Sequence, residues 1–218
     1  RIDADILSRI FDGGSLGQLL YAIRAADGVE AIPMLVSRLQ HGDIPANEQR
    51  TALDLIATLG GAEHLRLAFD LAVKDTTSPA QATELLQALA NAQSQRKVRP
   101  AGDLTGIARL LNAPDPKLAA VAAEIAGRWQ LQALYEPLGK LILDEGRPDA
   151  VRFAAIRSIA QLQQPERLTP LEVLSISDFT HDATRAAAIA ALVTVDQKKA
   201  ADAAVKFFTK ARELAAQE

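Results

Sequence analysis

A helical pattern that recurs about every 34 residues constrains this chain more than any other feature of its sequence. Five helical segments share one pattern, and they open at Gln49, Ala82, Leu118, Arg152 and Arg185. The intervals between them are 33, 36, 34 and 33 residues. In four of the segments, apolar residues follow at four, seven and ten positions, which keeps them on one helical face. The fifth, opened by Leu118, carries Arg128 at the third of these positions. The regular interval predicts a helical repeat array.

A second amphipathic segment precedes each of these helices, so the repeat unit is predicted to be a pair of helices. These first helices are expected at 29–40, 62–74, 103–112, 131–144 and 169–176. Turn-forming residues separate the segments, as at Gly60-Gly61. Ser78 followed by Pro79 predicts an N-cap and the first residue of a helix.

The composition agrees with a fold made of helices. Hydrophobic residues make up 49% of the chain but aromatic residues only 4%. Much of the apolar content is alanine and leucine, which are strong helix formers. The alternation of β-branched and polar residues that is typical of strands is hard to find. We therefore predict an all-α fold, a right-handed α-solenoid of about five to six helix pairs plus a C-terminal helix.

The 218 residues are expected to form a single repeat domain. Regular repeats are predicted over 29–195, preceded by a divergent pair at 1–28. A long capping helix is predicted over 196–218, because a solenoid needs atypical units to cover the ends of its core. Since the sequence begins with Arg1 rather than methionine, we expect the chain to be a domain of a longer protein.

Residues 150–156 and 183–189 each contain an arginine and follow directly after an aspartate, and these two stretches resemble the HEAT-repeat family. Asp149 precedes Arg152 by three residues, and Asp182 precedes Arg185 in the same way. In that family the two residue types commonly form a ladder between successive repeats, and the resemblance implies such a ladder for these two pairs. The three earlier opening residues lack the arginine, so a continuous ladder is not expected. The resemblance covers roughly 29–195 and is specific for fold rather than function.

A narrower resemblance concerns residues 182–214. They are similar to the alanine-rich HEAT region of large secreted multidomain proteins from planctomycete-type bacteria. In those proteins the region lies between a propeller-like dehydrogenase domain and a haem-binding cytochrome domain. The resemblance implies a spacer between redox modules and an extracytoplasmic location; without it, a cytoplasmic location is expected. The chain has no cysteine, so any covalently attached haem is expected outside this stretch.

Charge and hydropathy bear on the class of partner. The formal net charge is −3 and acidic and basic residues are interspersed, which argues against nucleic acid. No apolar run is long enough for a membrane span. His41, His64 and His181 have no metal-ligand spacing, and we predict no catalytic residues, cofactor or metal.

Three short motifs each allow two interpretations. Residues 13–17 match the G-x-S-x-G nucleophile elbow, but no sheet is predicted around them, so Ser15 is interpreted as a helix N-cap. The basic run at 96–99 is either an anion contact or, as we favour, a solvated loop. Trp129 is either an interface residue or, as we favour, a packing residue between helix pairs.

The second helices of such solenoids usually line the concave surface, and several of their polar positions point away from the predicted core. This candidate interaction surface consists of Asp54, Gln87, Asn91, Glu124, Arg128, Arg157 and Gln161. Its mixed charge suits a protein partner better than a polyanion. We therefore predict a noncatalytic protein-interaction, scaffolding or spacer module. The alternatives are a nucleic-acid binder with a positive groove and a small-molecule enzyme with a closed apolar pocket.

Overall fold

The computed structural model of the protein describes residues 31–162, 168–177 and 180–215, with side chains described as far as Thr209. The motif around Ser15 and the divergent pair at 1–28 lie outside the described residues, and so do the side chains of the last turns of the C-terminal helix. The predicted domain boundaries stay predictions.

The described residues form helices and contain no strand, which confirms the all-α prediction. The described residues contain ten α-helices: α1 Ile32–His41, α2 Ala46–Leu59, α3 Ala62–Ala72, α4 Pro79–Arg96, α5 Pro116–Arg128, α6 Tyr135–Leu143, α7 Asp149–Gln161, α8 Thr169–Ile176, α9 Asp182–Val193 and α10 Gln197–Ala215. Two 3-10 helices, Thr105–Asn112 and Gln132–Leu134, precede α5 and α6.

The chain divides into two compact units, Arg1–Gly106 and Ile107–Glu218. In the first unit α1 pairs with α2 and α3 with α4, and the second helices α2 and α4 also pack on each other. In the second unit α6 pairs with α7 and α8 with α9. The second helices α5, α7 and α9 pack in succession, and α10 packs against both α8 and α9. Each unit is therefore built from stacked helix pairs, as the repeat interval predicted.

The buried faces of the second helices follow the predicted spacing. In α4, Leu86 and Leu89 are buried, and in α7, Ile156 and Ile159 are buried. In α5, where the pattern meets Arg128, the next residue takes the inward position: Trp129 is only 2% exposed. This burial confirms the interpretation of Trp129 as a packing residue.

Helix ends follow local chemistry. The Ser78 hydroxyl accepts a hydrogen bond from the Gln81 amide at 3.3 Å, which confirms the predicted N-cap. The segment predicted at 131–144 is shorter as an α-helix, because α6 begins only after the 3-10 helix. Pro137 lies in the first turn of α6, where its missing N–H has no helical partner to lose. The segment predicted at 103–112 is a 3-10 helix preceded by Asp103, whose carboxylate accepts the Thr105 amide hydrogen at 2.9 Å.

The basic run does not begin in a loop, and the loop interpretation is wrong for Arg96. This residue is the last of α4, and Lys97 ends the helix in the left-handed conformation with φ of 59°. The Arg96 guanidinium donates hydrogen bonds to the carbonyl oxygens of Ala57, at 2.9 Å, and Gly60, at 2.7 Å. It therefore satisfies acceptors at the C-terminal end of α2 that have no partner within that helix.

Candidate interaction surface

The two arginines of the expected ladder are buried and bind backbone carbonyls. Arg152 is 6% exposed, and its Nε donates to the Ile142 carbonyl oxygen, in the last turn of α6, at 3.2 Å. Arg185 donates to the carbonyl oxygens of Ser177, at 2.6 Å, and Thr180, at 3.1 Å, beyond the end of α8. Each guanidinium therefore closes the C-terminal end of the first helix of its own pair, where cations are favoured by the helix dipole.

The two aspartates lie three residues before these arginines and face solvent. Asp149 is 3.5 Å from Arg152, and Asp182 is 3.4 Å from Arg185, measured between a carboxylate oxygen and a guanidinium nitrogen. The aspartate side chains are 64% and 80% exposed. Each ion pair lies within a single helix, the first in α7 and the second in α9. The ladder between successive repeats stays a prediction.

All seven residues of the candidate interaction surface lie on second helices. Asp54 is on α2, Gln87 and Asn91 are on α4, Glu124 and Arg128 on α5, and Arg157 and Gln161 on α7. Six of them are exposed and Glu124 is half-buried. Their outward placement follows the sequence pattern, while their role in binding stays a prediction.

In the first unit the surface is polar. A cleft of about 390 Å³ lies between α2 and α4, and its polar lining consists of Thr51, Asp54, Thr58, Asn91 and Gln95. Two of the three candidate residues of this unit, Asp54 and Asn91, therefore line the same cleft. The cleft contains a carboxylate and amides but no cationic side chain in its lining.

In the second unit a larger groove lies between α7 and α9, with a volume of about 660 Å³. Its lining, called here the α7–α9 groove, consists of Phe153, Arg157, Ala160, Gln161, Ala187, Ala190, Ala191, Thr194 and Val195. The apolar members form most of this surface, and Arg157 is the single charged side chain among them. Arg157 also pairs with Glu124 on α5, with a nitrogen-to-oxygen distance of 2.7 Å. Two of the candidate residues, Arg157 and Gln161, therefore border one apolar depression.

The two helix contacts of α7 differ in the residues that stand at equivalent positions. Toward α5, Gly127 faces Ser158, and a Cβ added at Gly127 would lie 2.6 Å from the Ser158 Cα. The Ser158 hydroxyl donates to the Ala123 carbonyl oxygen at 2.6 Å across this close contact. In the repeat register Gln161 takes the place of Gly127, and Ala191 takes that of Ser158. At the contact with α9, the side chain of Gln161 therefore occupies the position at which Gly127 allows α5 and α7 to pack closely. Gln161 and Ala191 both line the groove.

The contribution of α9 to the groove was not predicted. The sequence signal is a run of alanines at 186–188 and 190–191 that leaves no polar stripe on the helix. Ala190 is exposed and Ala187 half-buried, although both would be expected inside by residue type alone. An alanine-rich helix without a polar face is the pattern that points to such a surface.

Among the residues that the structure describes, three titratable groups have shifted pKa values, each with a local cause outside the groove. A hydrogen bond donated to the Asp70 side chain raises the pKa of Arg66. Hydrogen bonds from the backbone and side chain of Thr105 lower the pKa of Asp103. A side-chain hydrogen bond to Glu172 raises the pKa of Lys199.

Two further observations concern ions and membranes. The described part of the chain has no group of three or more acidic, histidine or cysteine side chains placed to hold a metal ion. Within the same part, none of the helices has the length and apolarity that crossing a bilayer requires.

Stacked helix pairs, with second helices packed in succession, define a helical-repeat scaffold. Residues 105–192 match the family of HEAT repeats. No curated protein sequence matches the chain. Among solved structures, human deoxyhypusine hydroxylase in complex with glycerol is similar at 16% identity, over 88% of this chain and 84% of that one. The TM-score is 0.41, and a likeness at this level carries no conclusion about activity.

Proposed function

We propose that this protein is a noncatalytic interaction module whose α7–α9 groove binds a short segment of protein chain. The segment belongs to another protein or to a neighbouring domain of the same chain. The observation that carries the proposal is the groove itself: an apolar floor of alanines with Phe153, bordered by Arg157, Gln161 and Thr194. An apolar depression with a few polar groups at its edge is the usual form of a binding site.

Charge argues against a nucleic-acid binder, and the open shape of the groove argues against a small-molecule enzyme. The outward residues of the second unit include both Glu124 and Arg157, and those of the first unit include Asp54 and Glu84. A polyanion needs a continuous basic surface, whereas this surface mixes signs. A small-molecule enzyme needs an enclosed pocket, whereas exposed residues such as Ala190 and Thr194 line this groove.

The size of the groove fits an extended peptide. Its α7 edge runs from Phe153 to Gln161, which is about 12 Å of helix. That length spans about four residues of extended chain. Aliphatic side chains of such a peptide would bury apolar area on the alanine floor, the main driving force for association.

The test is selection from a displayed library of random ten-residue peptides, followed by synthesis of the enriched peptides with a fluorescein label. Binding is measured by fluorescence anisotropy. Ala190→Arg places a long charged side chain in the groove and is expected to raise the Kd at least about tenfold. Ala201→Arg, at an exposed alanine of α10, is the matched control and is expected to leave the Kd unchanged.

Two results would contradict the proposal. The absence of any enriched peptide would argue against a peptide-binding function. Peptides that bind wild type and Ala190→Arg equally well would place binding elsewhere on the protein.

A further inference from the structure

We infer that the segment bound in the α7–α9 groove carries an aspartate or glutamate whose carboxylate pairs with Arg157, next to aliphatic side chains on the alanine floor. This inference rests on the proposed function and specifies its partner. Charge complementarity is the reason, since Arg157 is the one charged side chain among the lining residues that the structure describes.

The Arg157 guanidinium has donors that its contact with Glu124 does not use. Its side chain is 52% exposed and contacts Glu124 through NH2 at 2.7 Å. A guanidinium presents five N–H donors in a planar fork, and the contact with Glu124 uses NH2. Carboxylates bind this fork through parallel hydrogen bonds, which fixes their orientation as well as their charge.

Glu124 has two opposing effects on the site. It holds the Arg157 side chain in place across α5 and α7, which reduces the entropy that binding has to remove. It also neutralises Arg157 and competes with an incoming carboxylate. The Glu124 side chain is 36% exposed, so solvent screens this pair when the groove is empty. A peptide that covers the apolar floor excludes water and strengthens its own pairing with Arg157.

The proposed pairing with Arg157 predicts which versions of a peptide the groove binds best. A carboxylate beside aliphatic residues gains both contacts, and the uncharged amide of equal shape loses the charge-assisted bond. A lysine at the same place meets Arg157 and is repelled. The same groove is therefore expected to discriminate acidic from amide and basic versions of one peptide.

The experiment uses the enriched peptides from the displayed library, with every Asp or Glu tested against its Asn or Gln version. We expect one acidic position whose replacement by the amide weakens binding about tenfold. Arg157→Gln should weaken the acidic peptide by about the same factor and change the binding of the amide peptide less than about twofold. Glu124→Gln should strengthen the acidic peptide by about threefold, because it removes the competitor.

The opposite effects of the two glutamine variants distinguish pairing from a loss of structure, and thermal melts of both variants check the fold. The inference is overturned if Ala190→Arg abolishes binding but the acidic and amide peptides bind equally well; the proposed function then stands. It is also overturned if both glutamine variants weaken binding equally for acidic and amide peptides. If Ala190→Arg has no effect, both proposals fail.

Discussion

The family resemblance assigns Arg152 to a ladder between successive repeats, whereas its observed hydrogen bond lies within its own helix pair. Its guanidinium is almost completely buried and donates to the Ile142 carbonyl oxygen at 3.2 Å. Its ion partner Asp149 is largely exposed and sits 3.5 Å away. Exposed ion pairs contribute little to stability, whereas a buried acceptor left without a donor is costly. The contact with the Ile142 carbonyl therefore stabilises the fold more than the ion pair does.

We expect Arg152→Met to destabilise the protein by roughly 2 kcal/mol, because the Ile142 carbonyl loses its buried donor. Asp149→Asn should cost below about 1 kcal/mol, since its carboxylate is exposed and its favourable position in the first turn of α7 is worth only a few tenths. Urea unfolding followed by circular dichroism measures both values. Equal losses for the two variants would show that the ion pair, rather than the carbonyl contact, is the stabilising interaction.

At the scale of helices, one residue decides how closely two of them pack. Gly127 lies where α5 meets α7, and any Cβ there would approach the Ser158 backbone to 2.6 Å. Glycine normally weakens a helix, so its presence in α5 is explained by packing rather than by propensity. In the next helix contact along the array, between α7 and α9, Gln161 occupies the position equivalent to Gly127. The groove lies at this contact.

We expect Gly127→Ala to destabilise the protein by roughly 1–3 kcal/mol, despite the better helix propensity of alanine, because α5 and α7 have to separate. Gly139→Ala in α6 is the matched control, since a Cβ at Gly139 meets nothing within 4 Å. It should stabilise the protein by about 0.5–1 kcal/mol. Both are measured by urea unfolding, and a stabilising effect of Gly127→Ala would mean that the helices adjust without cost.

Sequence periodicity predicted the second helices well because their inward faces repeat every three to four residues. It predicted the first helices less accurately: the segment predicted at 103–112 forms the 3-10 helix Thr105–Asn112, and in the segment predicted at 131–144 a 3-10 helix precedes α6. The outward placement of Arg157 and Gln161 was predictable from the same period. The groove beside them was not, because it depends on the distance between α7 and α9, which no single helix encodes. The bonds from Arg152 and Arg96 to distant carbonyls were missed for the same reason, as they join residues 10 and 39 positions apart.

At the scale of the whole molecule, each unit contains a charged group whose pKa links stability to pH. In the first unit, the hydrogen bonds from Thr105 hold the pKa of Asp103 below its ordinary value of 3.8. Its stabilising effect is therefore present above pH 3.8 and lost as the pH falls through the lower folded value. In the second unit, Glu172 raises the pKa of Lys199 above 10.5, so that its effect is present below pH 10.5 and lost at higher pH.

We therefore expect the Tm to be nearly constant between about pH 5 and pH 9, with a decline on the acid side and another on the alkaline side. Asp103→Asn should reduce the acid decline only, and Lys199→Gln should reduce the alkaline decline only. The matched controls are Asp202→Asn and Lys198→Gln, at exposed positions of α10. Thermal melts from pH 2 to pH 11 measure both limbs. Both aspartate variants remove one carboxylate, but only Asp103→Asn removes the charged acceptor of the Thr105 hydrogen bonds. If the two variants change the acid decline of the Tm equally, general charge repulsion rather than these hydrogen bonds governs acid unfolding.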